Sequence, residues 1–212
     1  MQIPARARAR ARIRARCTTQ RDSGQTVILY GMVIAGLLFT AFAFFTVAQA
    51  GTVRNGGQSA ADAAALAAAQ DDREQFYDGF LDALDDDGAW QEWLDGLGDI
   101  TGDGCGEADR FAGRNRSDVL SCEQVSREGD PGYTVRIRTR FDTGDTLIPG
   151  TEDKKAKATA TAVIRPLCAF DEDAADAADI EFTCDGEDFT VDPDDGDIGL
   201  KPSDLFSVVL VE

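Results

Sequence analysis

Twenty-two consecutive residues, 27–48, carry no charged side chain. As a helix they would reach about 33 Å at about 1.5 Å per residue. That length crosses a hydrocarbon layer of about 30 Å. Such a segment either sits in lipid or is cut away, because water offers it no place to hide. The anchor is the expected outcome, since the core of a signal peptide is shorter, at about 7–15 residues. The alternative is a secretory signal cut after Ala50, because Ala48-Gln49-Ala50 has the A-x-A form. A cut there would release a secreted acidic binding protein.

Charge is divided across this segment. Residues 1–24 hold seven arginines and one acid, Asp22, and so net +6. Residues 25–50 hold none, and the overall −18 leaves −24 for residues 51–212. A basic flank beside a first span predicts a cytoplasmic tail and a single-pass protein whose C-terminal part is extracellular. The alternating Ala-Arg tail suits no packed element. It is expected to lie on anionic lipid heads, at about 1 kcal/mol per arginine near the surface. The acidic remainder would be repelled by phosphate backbones, which excludes a nucleic-acid partner. Histidine is absent, which removes Ser-His-Asp and Cys-His chemistry and histidine-ligated zinc. No catalytic residue, cofactor or metal ligand is expected, and the chain reads as a non-enzyme.

Small residues recur four apart within the span, Gly31 with Ala35 and Gly36 with Thr40. This spacing lets two helices approach closely in lipid. Beyond Asn55-Gly56-Gly57, read as a kink or break, comes an alanine-rich stretch over 59–70. Alanine is the best helix former, so this stretch is expected to be a helix. Its small surface, with Ala61, Ala64, Ala65 and Ala68, is expected to pack against another helix.

The stretch Gly24-Gln25-Thr26-Val27-Ile28-Leu29-Tyr30, the span, and the run Ala61-Asp62-Ala63-Ala64-Ala65-Leu66-Ala67-Ala68-Ala69 together resemble the N-terminal region of TadE/TadG-like proteins. These are pilin-like, membrane-anchored components of Flp (Tad-type) pilus assembly. The resemblance covers about residues 20–75. It implies a pseudopilin that works by helix packing and protein–protein contact, with other pilin-like or Tad apparatus proteins as partners. Processed members of the family are cut after a glycine, with glutamate and an aromatic at mature positions five and six. Gly24 then marks the cut, Gln25 the first mature residue, and Tyr30 the sixth. Leu29 stands where the glutamate is expected, which favours the anchored TadG-like branch.

Past residue 71 the pattern changes. Phe76, Phe80, Leu81 and Leu84 recur at helical spacing up to the break Asp85-Asp86-Asp87-Gly88, and Trp90, Trp93, Leu94 and Leu97 form a second short stripe. Both helices are expected to pack on a sheet. Tyr133, Val135, Ile137, Thr139 and Phe141 alternate with Thr134, Arg136, Arg138 and Arg140, the mark of a half-buried strand. Residues 156–165 alternate likewise and are expected to pair antiparallel with it. Shorter strands are expected at 180–184 and 188–191, and a final one at 205–211. Arg136, Arg138 and Arg140 form a basic ridge, balanced by acids within the fold or on a partner.

Cys17 lies in the tail as a free thiol. The other four cysteines are expected to pair as Cys105 with Cys122 and Cys168 with Cys184, because each bond closes a short loop in an oxidising exterior. The acidic loops 99–104 and 192–197 hint at weak calcium binding. Neither completes the twelve-residue pattern, and Arg110 stands where the first would need an acid. The expected fold is α+β and pilin-like: a long transmembrane helix continuing outside, then a small antiparallel sheet domain with packed helices. The expected divisions are a basic cytoplasmic tail (1–24), a transmembrane helix (25–50), an alanine-rich juxtamembrane helix (51–70) and an acidic extracellular domain (71–212).

Overall fold

A computed structural model describes residues 25–84, 89–98, 102–144, 153–170, 179–192 and 199–212. The fold is α+β, and the chain divides into two compact units at Phe44/Phe45. The basic tail with Gly24 and Cys17, the Asp85-Asp86-Asp87-Gly88 break and most of the two acidic loops lie outside the described residues.

The first helix, α1, runs Gln25–Asp82. In the first unit, described residues 25–44 are all helical. In the second unit α1 continues without interruption through Asn55-Gly56-Gly57, which corrects the expected break there. Two interior glycines cost roughly 1 kcal/mol each in propensity, and close packing outweighs that cost. A Cβ on Gly57 would stand 2.9 Å from the Ala156 Cβ and 3.4 Å from the Thr139 methyl carbon. On Gly56 it would stand 2.9 Å from the Phe141 ring. The glycines are one place where the helix touches the sheet.

That sheet has the order β1-β2-β3-β7, all pairs antiparallel. Its strands are β1 (Ser117–Arg127), β2 (Asp130–Asp142), β3 (Lys155–Pro166) and β7 (Phe206–Val211). The expected β2–β3 pairing is present, with Val135 opposite Ala160 and Ile137 opposite Ala158. β1 was not foreseen. An irregularity between Val119 and Ser121 breaks its alternation and leaves Leu120 42% exposed, as an extra residue in one strand does. The turn from β1 to β2 is Glu128-Gly129, both at positive φ, the geometry of a tight two-residue hairpin. A second sheet has the order β4-β5-β6, from β4 (Cys168–Phe170), β5 (Ile180–Cys184) and β6 (Glu187–Val191).

Among the described residues, three short helices complete the second unit: α2 (Ala89–Leu94), α3 (Gly104–Arg114) and α4 (Pro202–Leu205). Trp90 and Leu94 are buried as expected. Leu97 is not, because Gly96 at φ +69° ends the turn and leaves Leu97 66% exposed. Asp103, part of a suggested calcium loop, caps α3 instead: its Oδ1 accepts from the Gly106 amide at 3.0 Å. Arg110 pairs with Glu107 one turn back. Among the described residues no group of three or more Cys, Asp or Glu side chains is placed to hold a metal ion.

The cysteines pair Cys105–Cys122 and Cys168–Cys184. The first ties α3 to β1. The second joins residues directly opposite on β4 and β5. Closing loops of this length contributes about 3 kcal/mol each in the chain-entropy account.

Candidate functional site

Among the described residues the apolar stretch of α1 has no counterpart. Fourteen large side chains, from Val27 to Val47, are each at least 50% exposed, with Phe39 at 76%. At about 1.5–3 kcal/mol per side chain moved out of water, their burial is worth roughly 20–40 kcal/mol. A whole domain is stable by only about 5–15 kcal/mol. The stretch therefore has a non-aqueous surrounding, and it is long and apolar enough to cross a membrane.

Two hydroxyls of α1 are answered within the helix, as lipid requires. The Thr40 hydroxyl donates to the Gly36 carbonyl at 2.8 Å, and the Thr52 hydroxyl to the Ala48 carbonyl at 3.0 Å. Gly31, Ala35, Gly36 and Thr40 are exposed, and a Cβ on either glycine would meet nothing within 4 Å. Gln25 begins the helix, and Leu29 and Tyr30 are 60% and 66% exposed on it.

The alanine-rich stretch does something different. Ala60, Ala61, Ala64, Ala65, Ala68 and Ala69 are fully buried, in one cluster with Val135, Ile137, Ala160 and Ala162 of the sheet. The helix-packing alanines are thus buried in the second unit's own core, in a cluster that also holds Ala108 and Ala112 of an 11-residue helix, α3. Spacing explains the stripe: pairs of alanines recur every four residues, so one face of the helix is smooth along three turns. Small side chains let that face lie close to the sheet. The stripe continues with larger residues at Phe76 and Phe80, both buried.

Between alanine and phenylalanine on this stripe stands Asp72, only 2% exposed. Its carboxylate accepts from the Tyr133 hydroxyl, which in turn accepts from Gln124 Nε2 at 2.9 Å. Burial raises the Asp72 pKa from 3.8 to about 6, against the lowering hydrogen bond from Tyr133, and the Asp71 charge adds to the rise. Burial, with the bond to Asp72, pushes the Tyr133 hydroxyl up to about 12. Asp71 is raised too, first by burial, then by Glu107 and Asp103. A cleft of about 310 Å³ opens beside Asp72, Phe76 and Gln124. Nothing in the sequence separates Asp72 from the other acids of the chain, and the contact with Tyr133 appears only in the fold.

No curated protein and no solved structure matches the chain. One family model does, and its match covers the apolar stretch and the alanine-rich stretch together. Residues 24–71, less than a quarter of the chain, match the model of a family described as Flp pilus-assembly TadE/G-like.

Proposed function

We propose that the chain is a membrane-anchored, pilin-like component of a Flp/Tad pilus assembly or a related secretion apparatus. It acts without catalysis, by helix packing and protein–protein contact. The observation that carries this reading is the family match over 24–71, which ends just past the alanine stripe. The exposed apolar helix supports the anchor. The basic flank supports a cytoplasmic N-terminus and an extracellular acidic domain. Other apparatus proteins are its partners, and the span meets them through the small-residue surface of Gly31, Ala35, Gly36 and Thr40. The buried alanines hold the second unit together.

Mass spectrometry of membrane and medium fractions tests this reading. A mature start at Met1 or Gln25 in membranes, with crosslinks from the span to other apparatus proteins, is expected. A start at Gly51 in the medium would sink it. Residues 48–51 are helical, so a cut after Ala50 requires that turn to unwind first.

A further inference from the structure

The two sheets of the second unit carry opposite charge on their exposed faces. On the four-stranded sheet, one face lies in the core through Val135, Ile137, Ala160 and Ala162. By the two-residue alternation of strands, the other face holds Arg136, Arg138 and Lys157, all exposed, together with the acids Asp118 and Glu123 of β1, while Lys155 stands opposite Asp142. Arg138 and Lys157 are directly opposite across β2 and β3, and like charges so placed repel. The nearest acid in register is Asp118, opposite Arg138 on β1. Its carboxylate is taken by Arg140 at 2.7 Å. Among the described residues, no ion pair forms at Arg136, Arg138 or Lys157.

The β5–β6 hairpin is the reverse. Residues 179–192 hold six acids and no basic residue. Glu181, Asp185, Glu187 and Asp188 are exposed. Among the described residues none of them forms an ion pair, and Asp188 is held by the Thr183 hydroxyl at 2.7 Å. The tight turn Asp185-Gly186, both at positive φ, fixes the hairpin as a rigid acidic edge.

We propose that the basic face around Arg136, Arg138 and Lys157 docks the acidic β5–β6 hairpin of a second copy of this chain. Charge complementarity carries the inference: Arg136, Arg138 and Lys157 are without an ion pair among the described residues, the hairpin holds acids and no base, and the cross-strand repulsion of Arg138 and Lys157 is relieved by an acid between them. The two surfaces differ, so the contact is head-to-tail and propagates unless its rotation closes a ring. This deepens the assembly role and rests on it for the crowding of copies at one membrane.

The test uses the full chain, one copy per nanodisc of neutral phosphatidylcholine, so that spans in different discs cannot meet. Sedimentation is expected to show disc–disc association at about 150 mM salt, where repulsion between two domains of net charge −24 is screened beyond about 8 Å, and its loss at about 500 mM, where the contact pairs are screened as well. Arg138→Glu with Lys157→Glu weakens the association about tenfold, as two lost pairs imply. Glu187→Lys with Asp188→Lys does the same, and mixing the two variants restores it. Discs that stay single at about 150 mM salt, or association untouched by either reversal, or no rescue on mixing, overturn the proposal. So does association that requires anionic phosphatidylglycerol in the discs, which assigns the strip to lipid headgroups. A chain that fails to enter discs at all strikes instead at the anchor.

Discussion

Two stretches of α1 invert the usual rule of burial. Over the apolar stretch, valine, leucine and phenylalanine side chains stand exposed. Over the alanine-rich stretch, the smallest side chain with a Cβ is wholly buried. In water large apolar residues go inside first. Exposed large residues on every side of a helix point to lipid as the solvent. Alanines buried on one face point to a close backbone approach, where size, not hydrophobicity, decides what fits. One helix therefore answers two requirements, and the substitution that is harmless in one stretch is harmful in the other.

Charge separates the stretches most. Ile34→Asp with Leu38→Asp places two carboxylates mid-span, at about 2.5–3.5 kcal/mol each, or roughly 6 kcal/mol in all. Carbonate extraction is expected to find the double variant outside the membrane fraction. Retention at the wild-type level would break the comparison, because the apolar stretch would then not be in lipid. Size separates them next. Ala64→Leu with Ala65→Leu overfills the contact with the sheet, at about 1–3 kcal/mol per site, or roughly 4 kcal/mol together. A melting point lowered by several degrees is expected, read by circular dichroism of the full chain in detergent. Ala35→Leu in the span is expected to leave it unchanged, since Ala35 is exposed.

The same comparison explains what was legible in the sequence. The apolar stretch was readable because length and lack of charge are purely local properties. The β2–β3 pair was readable from alternation, and the two disulfides from loop length. Gly56-Gly57 was misread because helix propensity counts only the local cost of glycine. The decisive term is a contact with Ala156, about a hundred residues away in the chain. The alanines read as small and smooth, but sequence cannot say that the chain's own core covers them. Helix α3 was hidden by Gly104, Gly106 and Gly113, although Asp103 ahead of it is a recognisable cap. Leu97 was placed on a stripe that Gly96 had already ended.

The smallest expected effect lies where the buried stripe of α1 turns from alanine to phenylalanine. Asp72 has a folded pKa of about 6 against 3.8 unfolded. Between these values the folded state holds the extra proton, so stability falls as pH rises from about 4 to about 6. At about 1.4 kcal/mol per pH unit the ceiling is roughly 3 kcal/mol. The cleft beside the carboxylate admits water and brings the realised loss nearer 1–2 kcal/mol. Asp72→Asn keeps an oxygen for the Tyr133 hydroxyl and removes the buried charge. It is expected to match the wild type below about pH 4 and to melt a few degrees higher above about pH 6.5. Repulsion among the many other carboxylates changes with pH in both proteins alike, so the difference between the two melting curves isolates Asp72. Parallel curves across pH 4–7 would mean that the carboxylate is already solvated, and that the alanine contact ends before it.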